Sequence, residues 1–166
     1  GLDMYIRDGG DQRITYDIFG DGREEDVNKL KDSIEKFSLK DNIIYHGRKS
    51  HSEIESYFNE CNVGVSYIPI TEYYNSQPPT KTFEYLAAGM ITIATETDEN
   101  KLIINKHNGV LHKDSPADFA NALEYLSDNI DSFKYSNIIK STKNNNWKVI
   151  VENHLLPVLK RSNRDE

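Results

Sequence analysis

The 166-residue sequence has a single cysteine, Cys61. An internal disulfide framework is excluded, and such sparing cysteine use suits a reducing cytoplasm. No apolar run approaches the roughly 20 residues that a membrane-spanning helix needs, and no basic-then-apolar leader opens the sequence. Positive charge is also short. Twenty Lys and Arg stand against 27 Asp and Glu, a net charge of −7. That is the wrong sign for coating a duplex or an anionic membrane, so nucleic acid is not an expected partner. Internal repeats and low-complexity tracts are absent. What is present is enough for a core: 37% hydrophobic residues, with ten Tyr, six Phe and one Trp. These features predict one acidic, cytoplasmic domain.

Short β-branched or aromatic runs alternate with amphipathic segments. Ile14–Phe19 reads as a strand that ends in the turn Gly20-Asp21-Gly22. Val27, Leu30, Ile34 and Phe37 follow at helical spacing, with Glu24, Glu25 and Asp26 in the favourable first turn. A second strand, Ile43–His46, closes at Gly47. Ser50 or Ser52 caps the next helix, which is expected to bury Ile54, Tyr57, Phe58 and Cys61. Val63–Ile68 is a third strand, followed by a polar, proline-containing loop from Pro69 to Pro79. KTFEYLAAG reads as a helix ending at Gly89. Ile91–Thr95 and Gly109–His112 read as strands. Ser115-Pro116-Ala117-Asp118 starts a helix that is expected to bury Phe119, Leu123 and Leu126, and Trp147–Lys160 reads as a last helix, kinked or stopped near Pro157.

Strands alternating with helices imply an α/β fold, a Rossmann-like parallel sheet of about five strands flanked by helices. In such sheets ligands bind beyond the carboxyl ends of the strands. The loops after Phe19, His46, Ile68 and Thr95 therefore deserve scrutiny, and one of them carries the most informative stretch, Gln77-Pro78-Pro79-Thr80-Lys81-Thr82-Phe83-Glu84. The prolines hold the approach extended. The N–H groups of Thr80, Lys81 and Thr82 are expected to be unpaired at a helix start, a place that binds anions such as a diphosphate. Glu84 sits one turn further in, where it either accepts hydrogen bonds from a ribose diol or serves only as a first-turn acid.

The pattern Pro-x-Lys-x-x-Glu-Tyr-Leu-Ala-x-Gly, followed by the Ile91–Thr95 run, resembles the donor-binding half of retaining glycosyltransferases of group 1, which have the two-Rossmann GT-B architecture. Asp17–Gly22, Asn42–Gly47 and Glu99 through Asn108-Gly109-Val110-Leu111 resemble the same family in order and spacing. The resemblance implies that residues 1–166 are a single domain binding a UDP- or GDP-sugar, for transfer to a glycan or lipid-linked acceptor in polysaccharide synthesis. It implies that Glu84 holds the ribose hydroxyls as the key catalytic-site residue and that Thr80, Lys81 and Thr82 cradle the diphosphate. Gly47 and Arg48 then flank the base, and Gly20 and Gly22 keep the neighbouring turn clear. No metal or other cofactor is implied, because helix N-termini and cationic side chains carry the phosphate charge.

Two departures from the family pattern stand out. Relatives often carry two glutamates eight positions apart, and the partner position of Glu84 is Ser76. Glu72, four residues earlier on the loop, is the nearest carboxylate. Gly1-Leu2-Asp3 resembles the residues that follow the family's Arg and Lys. Those two cations, the central strand bearing them and the acceptor-binding N-terminal domain are then expected upstream. Any contact with the inner face of the membrane belongs to that domain. The chain by itself is expected to be inactive, with a sheet that rearranges over the empty strand position or self-associates through it. A nucleotide-sugar epimerase of GT-B type and a flavodoxin-like regulatory module are the alternatives. The latter is disfavoured because the acids lie in a helix rather than after the first strand, and no lysine follows Thr95 directly.

Other residues carry weaker signals. Tyr67, Tyr73 and Tyr74 either stack on a base or sugar or pack within their loop. The pairs His46/His51 and His107/His112 lack the spacing and the cysteine partners of a structural metal site. Cys61 reads as an inert core thiol, and Lys160, Arg161 and Arg164 as a solvated basic end.

Overall fold

A computed structural model describes residues 1–145 and 147–157. Its elements are α1 (Leu2–Arg7), β1 (Tyr16–Phe19), α2 (Glu24–Lys36), β2 (Ile43–Gly47), α3 (His51–Glu60), β3 (Val63–Ser66), α4 (Thr80–Ala87), β4 (Ile91–Thr95), α5 (Asp98–Ile103), β5 (Gly109–His112), α6 (Pro116–Asn129), α7 (Tyr135–Ser141) and α8 (Trp147–Ile150), with a π turn over Val151–Leu155. Residues 158–160 of the expected last helix and the basic residues Lys160, Arg161 and Arg164 lie outside the described residues.

All five strands pair in parallel, in two sheets: β1 with β2, and β3-β4-β5 with β4 in the middle. Every residue of β4 is buried, as a strand covered on both faces must be. Leu86 of α4, Ile93 and Ala94 of β4, and Leu123 and Leu126 of α6 form the centre of the core. The expected single sheet is thus divided. Among the described residues β1 and β3 share no ladder, and a cavity of about 280 Å³ opens between them, lined by Gly1, Tyr16, Val65, Tyr67, His112 and Phe119. His112 is buried there. Its Nδ1 donates to Lys113 O at 2.7 Å and its Nε2 has no partner among the described residues.

The boundary between the sheets accounts for several departures from expectation. Ile54, Tyr57, Phe58 and Cys61 are only half-buried, because α3 straddles the boundary: Tyr57 packs on Phe19 and His46, while Phe58 meets Tyr85 of α4. Phe119 is half-buried at the cavity wall, and Phe37 is exposed just past the end of α2. Strand lengths shrink for a different reason, since side chains replace the ladder. Thr95 Oγ1 accepts from Ile68 N at 2.9 Å and donates to Ile68 O at 2.8 Å, so β3 stops at Ser66. Asn42 Nδ2 donates to Gln12 O and Ile14 O, each at 2.9 Å, so β1 begins only at Tyr16.

Caps follow the sequence closely. Ser50, not Ser52, starts α3 through a reciprocal capping box with Glu53, and hydrogen bonds from Ser50 hold the Glu53 carboxyl down to about 2. Ser115 caps α6, with Pro116 in its first turn. Gly89 adopts φ +81° just beyond α4, a conformation that suits glycine.

Candidate functional site

The carboxyl ends of β1 and β2 carry two turns tied to each other. Gly20 N donates to Gly47 O at 2.9 Å, Tyr45 Oη donates to Gly20 O at 2.9 Å, and Arg48 Nη1 reaches Asp21 Oδ2 at 3.3 Å. Gly20 and Gly47 have φ +142° and +68°. The first value is almost restricted to glycine, and the second is the left-handed region that penalises a Cβ. Nothing lies within 4 Å of a Cβ built at Gly20, Gly22 or Gly47, so these turns present open backbone. Beneath them His46 Nε2 pairs with Asp17 Oδ1 at 2.6 Å, and the His46 ring stacks on Phe19 at 4.6 Å. Nothing in the spacing of His46 along the sequence points to this pairing. Its partner Asp17 lies on the neighbouring strand, and only the parallel register brings the two together.

The second half of the site is the start of α4. Its N-cap, Pro79, makes no side-chain cap bond. Thr80 N donates to Pro78 O at 3.0 Å, so the expectation of an unpaired Thr80 N–H is corrected. A proline-directed turn satisfies it. The N–H groups of Lys81 and Thr82 have no acceptor among the described residues, as the first turn of a helix requires. Glu84 stands one turn along and forms an ion pair with Lys81 Nζ at 2.8 Å; the two side chains are 39% and 59% exposed. The residues expected to meet the phosphate and the ribose are therefore joined, in reach of solvent. Ser76 and Glu72 are exposed on the preceding loop.

The foundation of this helix start is polar and buried. Thr82, Thr95, Thr97 and Asn100 are fully buried, and Ser66 nearly so. Asn100 Nδ2 donates to Thr95 O at 2.9 Å, which turns its Oδ1 toward Thr82 Oγ1 at 2.8 Å; Ser66 Oγ lies 2.9 Å from the same hydroxyl. Because the amide oxygen can only accept, the single Thr82 proton goes to Asn100 and Ser66 donates to Thr82. Thr97 Oγ1 in turn accepts from Asn100 N at 3.2 Å and caps α5. Thr82 thus serves the site through its N–H, while its side chain is part of the support.

The loop between β3 and α4 is fastened at both ends. Asp114 accepts from Tyr67 Oη at 2.8 Å and from Ile70 N at 3.0 Å. The bond to Asp114 and burial both push the Tyr67 phenol up. Further along, the Asn75 side chain donates to the Asp98 carboxylate and accepts from Asp98 N at 3.2 Å. Tyr73 and Tyr74 touch edge-on, and Tyr73 is 83% exposed. Cys61 fits its inert reading, with burial pushing its thiol up and the charges of Asp17 and Glu60 adding to it. No three His, Cys, Asp or Glu side chains gather as metal ligands among the described residues. No helix among them is long and apolar enough to cross a membrane.

Parallel strands joined by crossover helices give the Rossmann-like architecture of one half of a GT-B glycosyltransferase. The family described as "Glycosyl transferases group 1" matches residues 5–129, and the chain belongs to it. Among curated proteins none matches the sequence. The fold is similar to sucrose-phosphate synthase from Thermosynechococcus elongatus (TM-score 0.70, 17% identity, covering 97% of this chain and 41% of that one). It is also similar to HepE from Anabaena solved with UDP and glucose (TM-score 0.73, 15% identity, 97% and 44% covered). A third is the lipopolysaccharide outer core galactosyltransferase WaaB in its apo form (TM-score 0.71, 14% identity, 96% and 44% covered). The chain spans less than half the length of these structures.

Proposed function

We propose that this domain binds a nucleoside-diphosphate sugar and supplies the donor side of a retaining glycosyl transfer. The observation that carries the reading is the start of α4, where two N–H groups without acceptors among the described residues, those of Lys81 and Thr82, stand one turn from the Glu84 carboxylate. The N–H pair and the positive end of the helix suit a diphosphate. A carboxylate suits the two hydroxyls of a ribose, each able to donate to one oxygen. In the free domain Lys81 neutralises Glu84. Binding exchanges partners: the ammonium turns to the phosphate and Glu84 is released to the ribose. Gly47 and Arg48 flank the base, and the open turn at Gly20 and Gly22 leaves room for it. That HepE has been solved with UDP and with UDP-glucose supports a sugar nucleotide as the ligand.

In the transfer, the bond between the sugar's anomeric carbon and the diphosphate oxygen breaks. The acceptor hydroxyl oxygen bonds to that carbon from the same face, and its proton leaves with the diphosphate. The charge that develops on the diphosphate is met by the Lys81 and Thr82 N–H groups and by Lys81 Nζ, with no metal required. The acceptor is a glycan or a lipid-linked sugar held by a further domain.

Titration of the labelled chain with UDP and with GDP, followed by amide chemical shifts, tests the binding claim. Shifts concentrated at Lys81–Glu84 and at Gly47–Arg48 are expected with one of the two. No perturbation at α4 with either nucleotide overturns the reading.

A further inference from the structure

The Pro69–Pro79 loop belongs to the longest connection between elements among the described residues. Connections of that length and composition ordinarily move, and ordering one on ligand binding costs conformational entropy. This one is already fastened, and by two aspartates that come from the ends of other strands. Asp114, beyond β5, uses one carboxylate oxygen for Tyr67 Oη and the other for Ile70 N. Asp98, beyond β4, is bound by Asn75 through both its carboxylate and its own N–H, and its other oxygen lies 3.7 Å from Lys101 Nζ. Between the two fastenings the loop is wound by Asn75 N on Thr71 O and by Tyr74 N on Thr71 Oγ1.

Both aspartates are exposed. Exposed polar contacts of this kind add little to global stability, so the two fastenings set the shape of the loop rather than hold the fold. Their position relative to a bound donor follows from the arrangement of the strands. With the base over the β1 and β2 turns and the diphosphate at α4, an extended ligand continues along the sheet edge toward β4 and β5. Its glycosyl unit then reaches the Pro69–Pro79 loop.

We propose that Asp98 and Asp114 are positioning residues that hold the Pro69–Pro79 loop in the shape that receives the glycosyl unit, and so set the preference for a sugar nucleotide over the bare nucleotide. The proposal rests on the nucleotide-sugar reading above. Each carboxylate is engaged by the loop itself, so its effect on the ligand runs through the loop. The effect is preorganisation: a loop released from Asp98 or Asp114 must be ordered by the sugar itself.

Calorimetric titration of the chain with UDP and with UDP-glucose separates these roles. For Asp98→Ala and for Asp114→Ala, the expected result is UDP-glucose binding weakened about fivefold to tenfold, UDP binding within about twofold of the parent, and an unchanged melting temperature. The exchange Asn75→Asp with Asp98→Asn reverses the side-chain bond, the amide at position 98 donating to the carboxylate at position 75, which still accepts from the N–H of residue 98. It is expected to restore UDP-glucose affinity where Asn75→Asp alone does not. Equal loss for both ligands, or no loss for UDP-glucose, overturns the proposal. A parent chain that binds neither ligand overturns the nucleotide-sugar reading itself, and the positioning role falls with it.

Discussion

The two ends of the candidate cleft are built by different means. At the β1–β2 end the turns are shaped by glycine and backbone: Gly20 and Gly47 hold conformations that other residues resist, and they bond to each other through main-chain atoms. The side chains there, Arg48 and Asp21, are exposed and contribute little. At the α4 end the backbone is ordinary helix, and its support is a buried side-chain network of Ser66, Thr82, Thr95, Thr97 and Asn100. A buried network of this kind has one satisfied arrangement and is costly to break, whereas a glycine turn is defined by what it leaves out. The turns of the first end are expected to tolerate change at the exposed Arg48 and Asp21 but not at Gly20 and Gly47, and the second end to tolerate almost none at its base.

Substitutions sharpen that contrast. The largest effect is expected for Asn100→Leu, which takes the amide acceptor from the Thr82 hydroxyl, leaving it only Ser66, and one of two donors from the Thr95 carbonyl, and puts a branched apolar side chain into a buried polar site. A loss of about 2–4 kcal/mol in chemical denaturation is expected. Next come the glycines. Gly20→Ala is expected to cost about 1–3 kcal/mol from backbone conformation alone, since no atom lies near its Cβ position. Gly47→Ala is expected to cost about 1–2 kcal/mol, and Gly47→Asn less, because asparagine tolerates the left-handed region. Beside the intersheet cavity, burial pushes the Tyr16 phenol up to about 12 from 10.0, with the Tyr85 phenolate charge adding to it. The neutral phenol is favoured in the folded state, so its stabilisation is complete below pH 10 and lost as the pH rises toward 12. Alkaline denaturation of Tyr16→Phe is expected to lack that part of the loss. Ser76→Ala should do least of all, with melting temperature and UDP affinity both unchanged.

What was legible in the sequence follows the same division. Alternating strands and helices, the glycine turns, a serine cap for α3 at Ser50 or Ser52, Ser115 as the cap of α6 and the α4 helix start all rest on local signals. All of them are found, with Ser50 as the α3 cap. α1 and α5 were not foreseen. Each has six residues, too few for an apolar period, and α5 buries Asn100 where a periodic pattern looks for a hydrophobic residue. α7 is almost as short. The early end of β3 at Ser66 was hidden because a threonine hydroxyl from another strand takes the place of ladder bonds. The same is true of the Asp17–His46 pair, of Asp98 against Asn75 and of Asp114 against Ile70. Each joins residues far apart in sequence, and no spacing rule connects them. A further local expectation, the free Thr80 N–H, failed because Pro78 brings its own carbonyl within reach.

The central claim is that Glu84 receives the ribose once Lys81 turns to the phosphate. UDP affinity of the parent chain and of Glu84→Ala, measured side by side with their melting temperatures, tests it most directly. A carboxylate accepting two hydroxyls is worth roughly 1.5–3 kcal/mol per charged bond, so UDP binding is expected to weaken tenfold or more. The exposed pair with Lys81 adds little to the fold, so the melting temperature is expected to stay within a few degrees. Unchanged UDP affinity in Glu84→Ala, or a domain that unfolds without that carboxylate, would contradict the assignment.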